Sequence, residues 1–167
     1  TMLAGDKSVD EVAECLRQTG DPTGVIVATG DTVTLASGSL TDASGAAGGG
    51  QVLVGGGWQG KDATIATAGS VTQEAGAVIK ADATTSSAGG TAVLWSAKAT
   101  RMDGSISARG TGSGAGGQVE TSSQGSLGLA GQVDVAADSG QGGNWLLDPA
   151  TLDVTTTGSA LVGNTNG

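Results

Sequence analysis

The chain has 167 residues, of which 32 are glycine and none is His, Tyr or Phe; it has three Trp, one Cys, and 7 basic against 16 acidic side chains, a net charge of −9. The missing His excludes Ser-His-Asp and Cys-His catalysis and His-ligated metals, the single Cys excludes an internal disulfide or zinc cluster, and so few aromatics cannot fill a wide globular core. The acidic balance repels nucleic acid and anionic membrane surfaces, and no apolar run is long enough to span a bilayer.

Residues 1–24 read as a helical element that caps the rest of the chain. Ser8 and Glu11 have capping-box spacing, Val9, Val12, Ala13 and Leu16 share one face, and Gly20 with Pro22 supplies the stop. Cys15 on this helix reads as a small apolar packer. No secretory leader pattern is visible, because Asp6, Asp10, Glu11 and Glu14 occupy the stretch where an apolar segment would lie.

Residues 25–157 carry a repeat. Strand-like segments follow Gly38, Gly76, Gly104 and Gly131, and each leads through small residues to a glycine pair: Gly49-Gly50, Gly89-Gly90, Gly116-Gly117 and Gly142-Gly143. A second strand follows each pair (Q-V-L-V, T-A-V-L-W, Q-V-E-T, N-W-L-L), and a third precedes each unit's glycine, as in T-V-T-L-A from Thr32. Strands this short bury nothing alone. Stacked copy on copy, they form parallel ladders about 4.8 Å apart. The predicted fold is therefore all-β: a right-handed parallel β-helix of about four coils, the hand following from the crossover rule. Glycine is expected to supply positive φ at the corners. The predicted inward set is Val33, Leu35, Leu40, Val52, Val54, Ile65, Val71, Val78, Val93, Ile106, Val119, Leu127, Leu129, Val133, Val135, Leu146, Leu152 and Val154, with Glu120, Asp103 and Asp134 outward. The first interval is longer by about ten residues, an excess placed at Gly55–Asp62 and the run after it, which reads as a loop or extra partial coil. Residues 158–167 form a tail or the start of a further coil.

Chemical motifs are few. Gly55–Asp62 (G-G-G-W-Q-G-K-D) nearly matches a phosphate loop, but Asp62 stands where Ser or Thr must bind Mg²⁺, and it would repel phosphate. Calcium nonapeptides are absent, and Asp42, Asp82, Asp103 and Asp138 are scattered single carboxylates. A glycosidase needs two carboxylates facing one cleft. The predicted stacking sets Asp134 over Ser107 and Ile79, so no acid column forms; the pairs Arg101/Asp103 and Lys80/Asp82 read as a charged outer face. No catalytic residue, cofactor site or metal site is expected. Trp58, among loop glycines, is the one candidate for stacking on a sugar ring, against packing over the stack. Trp95 and Trp145, placed one strand position apart, predict that one of them lies on an outer face or corner. Asp148-Pro149 is expected to end a strand.

The runs G-G-G-Q-V-L-V-G-G-G-W-Q-G-K, A-G-G-T-A-V-L-W-S-A-K-A-T-R-M-D-G-S-I-S-A-R-G, G-A-G-G-Q-V-E-T-S-S and G-N-W-L-L-D-P-A-T-L-D-V, in that order, resemble the repeat region of filamentous-haemagglutinin-like exoproteins of two-partner secretion systems. The resemblance covers about Thr29 to Val154 and leaves the family's secretion domain outside the chain. It implies a right-handed β-helix exported through an outer-membrane barrel transporter to the bacterial surface or medium. It also implies a non-catalytic stalk or adhesin that contacts a matrix, a glycan or a surface receptor. A fibre subunit that assembles end to end or laterally is the alternative, and a carbohydrate-binding β-helix the second.

Overall fold

Runs such as Val25–Ala28 (V-I-V-A) and Gln51–Val54 (Q-V-L-V) are β-branched and bounded by glycine. Each is too short to persist unless a neighbour completes its ladder. In the computed structural model, which describes residues 2–4 and 24–152, every such run pairs in parallel with its copy in the next turn of chain. The strands are β1 (Met2–Ala4), β2 (Val25–Ala28), β3 (Thr32–Leu35), β4 (Leu40–Asp42), β5 (Gln51–Val54), β6 (Ser70–Gln73), β7 (Val78–Lys80), β8 (Thr91–Ser96), β9 (Ala99–Met102), β10 (Ser105–Ser107), β11 (Gln118–Leu129), β12 (Gln132–Asp134) and β13 (Asn144–Leu152). The architecture is a parallel β-solenoid. Its first column is β1-β2-β5-β8-β11-β13, its second β3-β6-β9-β11, and its third β4-β7-β10-β12. β11 serves both of the first two columns, and β13 follows it with a slip of register between Ser123 and Ser126.

Five coils are present rather than four, because Val25–Ala28 opens a coil of its own and β13 closes one. The helix predicted for Ser8–Gly20, with Cys15, lies outside the described residues, as do Val154 and the tail from Gly158. β1 places a strand at the very start of the segment read as helical, with Met2 opposite Ile26. The only helical turn among the described residues is a 3-10 turn, Trp58–Gly60.

The core is a narrow aliphatic tube. Ile26, Val52, Ala92 and Val119 stack in one inward row, and Ala28, Val54 and Leu94 in another. The second column contributes Val33 and Val71, and the third Ile79 and Ile106. Each such side chain contributes roughly 1.5–3 kcal/mol by leaving water. Val33, Leu35, Val52, Val54, Val71, Ile106, Val119 and Leu127 are buried as predicted, and Leu129, Val133 and Val135 are partly buried against the same core.

Leu40 and Val78 are not inward. Their place is taken by Thr41 and Ile79, which pair with each other and then with Ile106 and Val133. Between the second and third columns the first two coils hold two more residues than the next two, one on each side of the glycine, so alignment on the glycines is off by one; Gly38 and Gly76 there adopt φ of +80° and +86° while Gly104 and Gly131 do not have positive φ. A one-residue slip turns every side chain to the other face. It also sets Asp134 over Ser107, Lys80 and Asp42, rather than over Ile79.

Val93, Leu146 and Ile65 are outward as well. Val93 and Leu146 sit in the outward row with Val27, Leu53 and Glu120. Runs such as A-V-L-W hide their alternation because both faces carry apolar residues. Trp95 and Trp145 are three register positions apart, not one. Trp95 is outward, and Trp145 packs on the core and donates from its indole nitrogen to Thr121 Oγ1 at 2.9 Å. Pro149 does not end its strand, which runs on to Leu152.

Glycine supplies positive φ at corners as predicted, at Gly38 and Gly76, but the glycine pairs have another cause. None of them has positive φ. A Cβ on Gly50 would collide with the Gly24 carbonyl, on Gly90 with Gly50, on Gly117 with Gly90, and on Gly143 with Gly117. Successive coils touch backbone to backbone at this corner, and only glycine lets them. The second glycine's N–H then closes each turn, Gly50 onto Ala43 O at 2.8 Å and Gly90 onto Ala81 O at 2.7 Å.

Candidate functional site

Among the described residues one long excursion, residues 56–67, leaves the regular stack. Gly55 donates to Ala28 O and Ala68 donates to Gly55 O, both at 2.8 Å, so the excursion leaves and re-enters the coil at a single point. The predicted loop is therefore real, but it does not bulge away. It folds back over the outer face of the first column and covers Leu53, Val93 and Trp95, with Trp58 and Ile65 packed against them. Gly56 and Gly60 lie against the Trp95 indole so closely that a Cβ on either would strike the ring.

Beneath the same loop lies Glu120, whose outward direction was predicted but whose burial was not. It is fully buried. Gln59 donates its backbone N–H to Oε2 at 2.7 Å, while Oε1 and the Trp95 indole nitrogen have no hydrogen-bond partner among the described residues. Burial pushes the Glu120 carboxyl above its ordinary pKa; the Gln59 N–H, Ser122 and Lys61 pull it down, and Asp148 adds to the rise. Gln59 holds φ of +54°, a conformation that side-chain-bearing residues rarely adopt. The loop is thus tied to the stack by an indole face and a carboxylate.

Between the loop and the stack opens a cavity of about 460 Å³. Its floor is Leu53 together with Gln51, Thr91 and Gln118, which occupy the same register position in three consecutive coils. Its wall is Gly57, Trp58, Lys61 and Asp62. Trp58, the residue singled out from sequence, is half-buried and lines this space while also packing on the apolar cluster. Lys61 donates to Gln59 Oε1 at 2.6 Å. Hydrogen bonds from Thr64, by its hydroxyl and then its backbone N–H, hold the Asp62 carboxyl below its ordinary pKa. No helix follows Lys61, so the loop lacks the form of a phosphate loop as well as its final hydroxyl. Gln51, Gln118 and Lys61 were not recognised from sequence. The signal available was the coincidence of an insertion with polar residues just after the glycine pairs.

The scattered acids are each used locally. Asp82 accepts from Ser107 Oγ at 2.8 Å and from Arg109 N–H at 2.7 Å. Arg109 reaches Asp134 at 2.6 Å and Asp138 at 3.6 Å. Burial works to raise the Asp134 pKa, but the Ala136 N–H and the Arg109 guanidinium outweigh it and hold the carboxyl low. Arg101 pairs with Asp103 at 2.6 Å on the exposed face. Among the described residues no three His, Cys, Asp or Glu side chains gather as a metal would need, and no helix is long and apolar enough to cross a membrane.

Fold and site together define a parallel β-solenoid with one lateral loop clamped over its first sheet. The chain is similar to the crystal structure of the HMW1 secretion domain from Haemophilus influenzae, with a TM-score of 0.60 and 32% sequence identity over 75% of this chain. The match takes in 32% of that structure's chain, so this chain spans about a third of its length. No family model matches the sequence, and no curated protein does. The similarity is thus to a secretion domain, the part of such exoproteins that the sequence had placed outside this chain.

Proposed function

We propose that the chain is a non-catalytic structural segment of a secreted bacterial exoprotein, a right-handed solenoid that folds after export through an outer-membrane barrel transporter. The observation that carries the reading is the 32% identity to a secretion domain, held over 75% of the chain and accompanied by a matching fold. The physical properties of the stack support it. Parallel ladders and a dry aliphatic tube make a stiff rod with few loops to cleave. A fold made of neighbouring-coil contacts also grows one coil at a time as chain emerges, without a distant partner segment. The acidic outer face and the spent local carboxylates favour a structural or adhesive role over hydrolysis. Assembly into fibres is the second reading, and what favours it is that among the described residues β4 and β12, at the two ends of the third column, each pair on one side only.

The test is export. The chain is placed behind a cleavable leader in a Gram-negative host, with or without an outer-membrane barrel transporter of a two-partner secretion system. The expected result is release into the medium only when the transporter is present, with limited proteolysis of the released protein sparing a fragment that contains the paired strands β5 to β11. Retention in the periplasm despite the transporter overturns the proposal.

A further inference from the structure

We propose that the cavity beside Trp58 binds an uncharged linear glycan lying along the solenoid axis. The floor is a ladder of neutral polar side chains. Gln51, Thr91 and Gln118 stand in register, one per coil, and Asn144 continues the row on the next coil. Coils repeat every ~4.8 Å, comparable to the length of one pyranose unit in an extended chain, so each sugar would meet one rung. Amide and hydroxyl groups donate and accept hydrogen bonds at once, as vicinal sugar hydroxyls require of a partner. Trp58 offers an indole beside that ladder, and aromatic faces hold the apolar C–H side of a sugar ring as they hold other flat partners. Leu53, two positions along the strand from Gln51, makes the floor apolar beside the polar ladder.

Charge selects among glycans. The chain carries net −9, and the cavity wall contributes Lys61 and Asp62 together, so a polyanionic polysaccharide gains nothing there. The loop that forms the wall is pre-organised by its clamp on Trp95 and Glu120, so binding need not order it first. This inference rests on the cavity alone and not on the route of export.

The purified chain is titrated calorimetrically with cellohexaose, laminarihexaose and chitohexaose, and with polygalacturonate as the charged comparison. At least one neutral hexasaccharide is expected to bind. Trp58→Ala is expected to weaken it about tenfold, Trp58→Phe to restore part of the loss, and Gln118→Ala to weaken it with the strand signal in circular dichroism unchanged. Gln118 is exposed on a strand and takes no part in holding the loop, so its effect is separable from loosening of the wall. The proposal is overturned if no neutral hexasaccharide binds, if only polygalacturonate binds, or if binding survives both Trp58→Ala and Gln118→Ala unchanged. Failure of export leaves all three outcomes readable.

Discussion

Glu120 has the most unusual surroundings of any single side chain. It points to the outer face yet is fully buried, because the loop from the second coil lies across it and gives it only the Gln59 N–H on Oε2. Its pKa in the fold is raised, with burial as the leading cause. The stabilisation therefore belongs to the protonated form, is fully present below the unfolded pKa, and is lost as pH rises through the folded value. Glu120→Gln keeps an acceptor for Gln59 and removes the charge. The variant is therefore expected to melt higher than the parent at pH 7 and level with it near pH 4, read as the difference between the two thermal melting curves at each pH. The difference isolates Glu120 from Asp62 and Asp134, whose lowered pKa values act in the opposite sense in both proteins. A gain of equal size at both pH values would contradict the argument. Nothing near Glu120 in sequence reveals this burial, since Gln59 is 61 residues away along the chain. Glycine is similarly two-sided at this scale. Gly90→Ala drives a Cβ into the Gly50 carbonyl, backbone against backbone, and is expected to cost roughly 1–3 kcal/mol in a denaturant melt. Gly128→Ala meets nothing among the described residues nearer than the Arg101 side chain at 3.9 Å, and is expected to leave the midpoint level or raise it.

Among elements, the loop 56–67 is the one that departs from repetition, and it shows where sequence reading succeeds and stops. Its existence was legible because the interval it lengthens stands beside shorter ones. Its direction was not, because a loop of Gly, Gln, Lys and Asp reads as solvated until the surface beneath it is known. That surface, Leu53, Val93 and Trp95, is apolar on the side that an alternating pattern should keep polar. The first three of four residues in A-V-L-W therefore looked like core on both parities, and Val93 was placed inside. The strands themselves were legible because V-x-V and I-x-A spacings recur at fixed distances from the glycine pairs. Their register was not everywhere legible, because the two extra corner residues in the first two coils fall one on each side of Gly38 and Gly76, whose positive φ only the structure shows. The fourth coil crosses the same corner with Ser122–Gly125 in place of residues 55–69. Exchanging 55–69 for that short connection is expected to keep the strand signal in circular dichroism, because the ladders on either side do not depend on the loop. It is also expected to shift tryptophan emission to the red as Trp95 meets water. Loss of the strand signal would mean that the loop helps to form the stack rather than merely to cover it.

Taken whole, the molecule is a one-dimensional pile in which each coil touches only its neighbours, and its stability should be distributed accordingly. β8, β9 and β10 are each paired on both sides, and their inward residues Ala92, Leu94, Met102 and Ile106 are fully shielded. Toward the other end the shielding fades: Val133, Val135 and Trp145 are only partly buried. Hydrogen exchange is therefore expected to be slowest in peptides spanning 91–107 and to quicken through β12. Ile106→Ala removes a buried branched side chain from the middle of the tube, and such truncations cost about 2–5 kcal/mol. If the coils unfold as one unit, that loss lowers protection alike in every strand from β4 to β13. If each coil opens on its own, protection falls in β10 and its contacts but persists two coils away in β4. Either pattern fits a pile of coils. Protection higher in β4 or β13 than in β10 does not, because among the described residues those end strands pair on one side alone while β10 pairs on both.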